Sequence, residues 1–391
     1  MFSKSKLSSA VTIAMGASAV TLLSMHSVQA DSIFFPHLVN SPTVTSIVSV
    51  VNTGTAAASY DVAGNPWVSG AGAQFLHYRL YTKGLTGVNA VDNQTACEEF
   101  NDYLTTSPND IQTMDLSGEF DAGTLGVLFN DPSVQNNWVA QGRDFALARN
   151  ILPSRGYLLV DNASADVATT TLSGEAFIFE FASGAAWGYQ AHKRGGDAAG
   201  VDGEFDYVSV ATEQNTQLNL LPFDEFTTAF LATAVNYKST PTTIDGVVRP
   251  VFTVDPAGMV PEIENTYAAT LALRSGPRAV LYDRDEGPVS GSRAQSFVCI
   301  GRIDVTDLLA RGVAERAPDG GWTNLWNNAG SAFAETMFTA ANPGSTDVAY
   351  PGAVVIKLEY NNNSTFNGLP STGVFNNAMM LRPATQVAPE E

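Results

Sequence analysis

The chain has 391 residues and a formal charge of −19, with 39 acidic against 20 basic side chains. That balance argues against nucleic acid or anionic lipid as a partner, since both reward clustered Lys and Arg, and it favours solubility and cation binding. The acidic residues are scattered and read as solvated surface, and the length allows two domains or one large one, each with a core of its own.

Residues 1–30 read as a secretory signal peptide. Lys4 and Lys6 open it, an apolar and small-residue run follows from Ala10 to Met25, and Val28 and Ala30 place small side chains where a signal peptidase inspects. The run is short and rich in Ala, Gly and Ser for a bilayer span, an uncleaved anchor being the alternative. Cleavage would start the mature chain at Asp31 and, by removing Lys4 and Lys6, take its charge from −19 to −21. No Cys near the cleavage point offers a lipid anchor, and no later stretch reaches about 18 uninterrupted apolar residues, so the mature chain is expected to have no integral membrane span.

From there the texture is that of an all-β protein: Gly, Thr, Ser, Asn and Val dominate, with turn residues about every 8–15 positions. Strands are expected over 33–37, 43–52, 75–82, 156–161 and 176–181, then over 226–237, 267–274, 279–283, 295–303 and 353–360. Helical spacing is confined to 304–316, where Asp304 precedes Val305, Leu308 and Leu309, and to 332–340. Leu369 to Gly373 matches a cell-wall sorting pentapeptide, but the polar tail to Glu391 lacks the apolar span and basic end such a signal needs.

An internal duplication is visible. Phe35-Pro36 leads through a Thr-rich strand to Val51-Asn52-Thr53-Gly54-Thr55, and Leu221-Pro222-Phe223 leads through Thr227 and Thr228 to Val235-Asn236. Each half then offers an aromatic strand (Tyr78-Arg79-Leu80-Tyr81; Leu281-Tyr282-Asp283-Arg284), one cysteine followed by a cap-like or short helical segment, and a Gly-rich stretch near Trp187 or Trp322. The expected division is a β-sandwich over 31–195, a linker over 196–215, a second β-sandwich over 216–385 and a tail over 386–391, with a few short helices.

Phe34-Phe35-Pro36 ahead of Val50-Val51-Asn52-Thr53, the Cys97 that precedes Asp102-Tyr103-Leu104-Thr105, and the late Gly320-Gly321-Trp322 resemble the layout of a group of exported proteobacterial proteins. The resemblance implies two Ig-like β-sandwich halves, and it carries over no activity and no functional residue.

The two cysteines, Cys97 and Cys299, are an even count, which outside the cytoplasm suggests one disulfide; two buried thiols are the alternative. Neither reads as catalytic, because Glu98 and Glu99 beside Cys97 would raise a thiol pKa. No HExxH, CxxC, Walker-type or GxSxG pattern occurs, and no catalytic residue is expected. Asp202, Glu204 and Asp206 set three carboxylates at alternate positions, a candidate site for a hard cation such as Ca²⁺ with Asp197 or backbone carbonyls completing it. Asp283, Asp285 and Glu286 make a second acidic cluster. His37, His77 and His192, with Met379 or Met380 as a soft ligand, are the set from which a copper or zinc site would be built. Trp67, Trp138, Trp187, Trp322 and Trp326 are expected in loops, where they would cap a core, stack on glycans or anchor a protein partner.

These features favour an exported, non-enzymatic protein, periplasmic or on the cell surface, that binds other surface proteins, glycans or copies of itself. A calcium- or copper-binding accessory protein is the first alternative, and a secreted hydrolase without recognisable motifs is the second.

Overall fold

The computed structural model describes residues 32–41, 44–52, 74–84, 94–106, 110–116, 126–129, 154–162, 172–180, 186–193, 213–217, 226–244, 247–254, 264–265, 268–273, 281–285, 287–289, 291–313, 321–327, 349–361, 365–366, 369–370 and 376–380. The first half carries β1 (Ser32–Asn40), β2 (Val44–Asn52), β3 (Gln74–Gly84), β4 (Cys97–Thr106), β5 (Asp110–Asp115), β6 (Gly126–Phe129), β7 (Ser154–Asn162), β8 (Leu172–Glu180), β9 (Ala186–Gln190) and β10 (His192–Lys193). The second carries β11 (Glu213–Gln217), β12 (Phe226–Ile244), β13 (Val247–Val254), β14 (Glu264–Asn265), β15 (Ala268–Leu273), β16 (Leu281–Asp283), β17 (Ala294–Val298), β18 (Ile300–Asp304), β19 (Gly321–Asn327), β20 (Ala349–Asn361), β21 (Thr365–Phe366), β22 (Leu369–Pro370) and β23 (Asn376–Met380).

Among the described residues these strands form four antiparallel sheets beside a small β21–β22 ribbon. Sheet I has the order β6-β5-β2-β8-β9, and sheet II the order β10-β1-β7-β3-β4-β14. Sheet III runs β13-β12-β20-β23 with β18 also on β12, and sheet IV runs β11-β19-β15-β17 with β16 also on β19. The two halves repeat one plan. Taken in chain order, β5-β2-β8-β9 of sheet I corresponds to β18-β12-β20-β23 of sheet III, and β1-β7-β3-β4 of sheet II to β11-β19-(β15, β16)-β17 of sheet IV. The duplication expected from the sequence is therefore present in the strand order.

Two-residue periodicity assigns each strand its faces. One core takes Val48, Val50, Met114, Ala176 and Ile178 from sheet I and Ile33, Phe35, Leu76, Tyr78, Leu80, Leu158 and Val160 from sheet II. The other takes Phe230, Ala232, Ala234, Ile303, Ala353 and Val355 from sheet III and Ala269, Leu271, Leu273, Phe297 and Leu325 from sheet IV. Burying a Leu, Ile, Val or Phe side chain stabilises by about 1.5–3 kcal/mol, so each half has a core of its own.

Three departures from the expected elements have local causes. The segment after Cys97 is not a cap or short helix but strand β4, held by its ladder to β3 from Thr82↔Glu98 to Gln74↔Thr106. Of the helix expected over 304–316, the described part holds a 3-10 turn, Val305–Leu308, and helical backbone again at Val313, while 314–316 lie outside the described residues. Asp304 is still the last residue of β18, its side chain makes no capping hydrogen bond, and Leu309 forms a β-bridge to Ser292, which stops propagation. Trp187, Trp322 and Trp326 stand in strands β9 and β19 rather than in loops. The expected helix over 332–340 lies outside the described residues, as do Trp67 and Trp138. Of the expected linker, 213–215 is already strand, because β11 pairs along β19 from Glu213↔Trp326 to Gln217↔Trp322.

Candidate functional site

The face of sheet II turned away from its core is not open to solvent. Phe34, Tyr81, Tyr157 and Leu159 alternate with the core residues and are all buried. Tyr81 stacks on Tyr157 with centroids 4.8 Å apart, and Phe34 meets Tyr157 edge-on at 5.8 Å. On sheet III the residues that alternate with its core, Leu231, Val235, Val354 and Ile356, are buried as well. The Thr233 hydroxyl, on that same face, donates to the Pro36 carbonyl of β1. Among the described residues, sheets II and III therefore cover one another, with sheet I packed on the other face of II and sheet IV on the other face of III, while the edge strands β9 of sheet I and β23 of sheet III also meet.

One edge of this seam is tied covalently. Cys97 and Cys299 form a disulfide with Cα atoms 5.9 Å apart across a sequence separation of 202. Strand β14 of the second half extends sheet II by pairing Asn265 with Cys97 and Glu264 with Glu98. The buried Lys83 ammonium donates to the carbonyls of Thr95 (3.0 Å) and Val298 (2.8 Å), and the Gln94 amide donates to Ser296 (2.8 Å). Cys299 itself has φ 59, a left-handed backbone that lets the chain leave β17 in sheet IV and enter β18 in sheet III.

Charged groups gather elsewhere along the seam. Pro36 has no N–H to donate, and β1 bulges between Phe35 and Leu38. The Tyr189 hydroxyl accepts from the His37 N–H (3.1 Å) and donates to the His37 carbonyl (2.5 Å). Burial holds the His37 imidazole well below its ordinary pKa, and Arg155 and Arg302 add to that. The Arg155 guanidinium is pushed down to about 9, by burial first and by Arg302 second, with Asp304 opposing. Arg302 is paired with Asp304 at 3.0 Å.

The opposite face of sheet I is a different surface. Ile111 is 51% exposed and Phe177 44% exposed, the two large exposed apolar side chains among the described residues. In the ladders Ile111 stands opposite Val51 and Phe177 opposite Ile47, both half-buried. Phe179 stacks on Phe177 at 6.3 Å. The result is an apolar strip across β5, β2 and β8, interrupted between its two apolar pairs by the polar row of Thr113, Ser49 and the exposed Glu175, the Thr113 and Ser49 hydroxyls being 3.2 Å apart.

The structure brings together Cys97 and Cys299. Asp202, Glu204 and Asp206 lie outside the described residues. Asp283 is engaged in its own turn, its carboxylate accepting from the Gly287 N–H at 2.6 Å. Among the described residues no group of three or more His, Cys, Asp or Glu side chains is placed to hold a metal, so His37, His77 and His192 do not converge. His37 is in β1, His77 in β3 and His192 in β10, where its ring lies 5.9 Å from Phe34. Met379 and Met380 stand opposite Lys357 and Ile356 in the β23–β20 ladder. The strip on sheet I carries a sequence signal that the search for catalytic and metal-binding types passes over. Ala176-Phe177-Ile178-Phe179 is a continuous apolar run, the mark of a strand covered on both faces.

No family model, no curated protein and no solved structure matches this chain.

Proposed function

We propose that the protein is an exported, non-enzymatic binding or assembly protein of the periplasm or cell surface, built from two Ig-like β-sandwich halves. The observation that carries the reading is the pair of exposed apolar side chains Ile111 and Phe177 on the outward face of sheet I, with half-buried Val51 and Ile47 opposite them, exposed apolar surface of the kind that marks a protein interface. Residues 1–30 supply the route out of the cytoplasm, and the Cys97–Cys299 bridge suits an oxidising compartment. One repeated strand order with two facing sheets per core supports the Ig-like assignment.

The test is cell fractionation with mass spectrometry of the intact protein, joined to binding of the labelled mature protein to whole cells. The expected result is protein outside the cytosol beginning at Asp31, whose binding falls when Phe177 is changed to Glu. Protein retained in the cytosol with Met1 intact overturns export, and binding unaffected by Phe177→Glu overturns the strip as the binding face.

A further inference from the structure

We infer that the seam between sheets II and III holds a binding site for a small monovalent anion, built from the buried Arg155 guanidinium and the His37 imidazole. The inference goes beyond the binding or assembly reading and does not depend on it. Strand faces bring the groups together. In β7 Leu158 and Val160 enter the first core, so Arg155, Tyr157 and Leu159 turn to the seam. In β18 Ile303 enters the second core, so Arg302 and Asp304 turn to the same seam from the other side, and β7 and β18 meet there. Between them lies the β1 bulge. Phe35 and Leu38 on either side of it both reach the first core, which leaves Pro36 and His37 toward sheet III, where the Pro36 carbonyl accepts from Thr233. Arg155 stands opposite Val39, two residues along β1 from His37.

The donors of this cluster outnumber its acceptors. Arg155 is 6% exposed and His37 1%, and among the described residues nothing accepts from Arg155 Nε or Nη1 or pairs with His37 Nδ1. Folded proteins seldom leave buried polar groups in that state, and a buried charge is ordinarily paired or neutralised. Loss of the proton does not neutralise this one, because a guanidinium pushed down to about 9 is still charged at neutral pH. Asp304 is the carboxylate that acts on Arg155, but its Oδ1 already accepts from Arg302 Nε at 3.1 Å and lies 3.0 Å from Arg302 Nη2. One carboxylate thus serves two guanidiniums. The Tyr189 hydroxyl is committed to the His37 backbone. A water molecule accepts a hydrogen bond but brings no charge, whereas an anion supplies both, and hydrogen bonds to a charged partner are the stronger kind. A neutral His37 with its proton on Nδ1 donates to the same ion. The site lies between packed sheets, so its ligand is of halide or nitrate size, and it enters beside the partly exposed Arg302 and Asp304. The overall charge of −19 repels anions from afar, but at about 0.15 M salt that field is screened beyond roughly 8 Å, and contact with Arg155 is not.

The test uses the mature, disulfide-bonded protein at about pH 7.5, above the ordinary imidazole value of 6.5. Chloride is the probe, exchanged for gluconate, an anion too large for the site, at a constant ionic strength of about 0.15 M. The readouts are the line width of the chlorine nuclear magnetic resonance and the melting temperature. The wild type is expected to give an excess line width that saturates with chloride and is displaced by bromide. Its melting temperature is expected to climb by roughly 2 °C for each tenfold rise in chloride above the dissociation constant. Arg155→Met, with circular dichroism to check its fold, is expected to lose both responses. A wild type without a saturable excess line width overturns the proposal. So does an excess that Arg155→Met leaves unchanged, which would put the chloride on surface cations. Should Arg155→Met fail to fold, anomalous diffraction from wild-type crystals soaked in bromide decides: a peak beside Arg155 is expected, and peaks confined to the surface overturn the site.

Discussion

At the scale of single residues, Pro36 sets up the most constrained environment in the seam. Its missing N–H interrupts the β1 ladder, the bulge frees the backbone of residue 37, and Tyr189 satisfies both the N–H and the carbonyl there with one hydroxyl. The His37 ring is left buried among Arg155, Arg302 with its partner Asp304, and Tyr189, an environment that opposes a further positive charge. In the unfolded chain the same imidazole titrates near 6.5. The folded state holds it neutral, so as the pH falls below 6.5 the unfolded chain takes up a proton that the folded one refuses. Stability from this residue is therefore complete above 6.5 and declines by up to about 1.4 kcal/mol per pH unit below it, until the lowered folded pKa is reached. Thermal melts of wild type and His37→Gln from neutral pH to pH 5 measure this directly. The wild-type melting temperature should fall more steeply with acid than that of the variant, while a difference between them that stays constant across the range refutes the assignment.

At the scale of elements, two glycines in equivalent ladder positions make the repeat work. Gly156 in β7 stands opposite Thr82 and Gly321 in β19 opposite Asp283, and at each a Cβ would collide with a backbone carbonyl, of Tyr81 and of Tyr282. Neither carbonyl is the far end of a mobile side chain, so the strands themselves would have to part. Gly156→Ala and Gly321→Ala are each expected to cost about 1–3 kcal/mol in urea denaturation, as overpacking does; a midpoint unchanged in either would show that the close approach is not required. The sequence makes part of this legible. Long alternating strands such as β2 and β20 are plain in it, because Val, Ile and Thr at two-residue spacing describe a pleated surface with one buried side. The duplication is legible too, but its last landmark is misplaced: the counterpart of Gly321-Trp322 is Gly156-Tyr157 and not the stretch at Trp187. A tryptophan draws attention by its rarity, whereas the constraint lies in the glycine beside it, visible only once the strands are paired. The short strand β14 is held by its partner residues Cys97 and Glu98, so nothing within its own two residues marks it. The apolar strip on sheet I escapes for a related reason, since a continuous run in β8 does not say which of its two covered faces belongs to the fold and which to a partner.

At the scale of the whole molecule, the halves are held by non-covalent contacts, the seam and the β14–β4 pairing, and by the disulfide, and the two kinds are separable. The seam between sheets II and III buries aromatic and aliphatic side chains from both, and the disulfide joins Cys97 to Cys299 across a sequence separation of 202. On the chain-entropy account a cross-link that long stabilises by roughly 5 kcal/mol, by restricting the unfolded chain rather than by adding contacts to the folded one. The seam owes nothing to that term, because its burial is a property of the folded state. The paired change Cys97→Ser and Cys299→Ser should therefore lower the melting temperature by many degrees and leave the sedimentation coefficient of the folded monomer unchanged, the four layers remaining stacked. A melting temperature that does not move would mean that the unfolded chain is already compact around that pair. A slower-sedimenting, extended monomer would mean that the bridge, and not the buried face of sheet II against sheet III, is what keeps the halves docked.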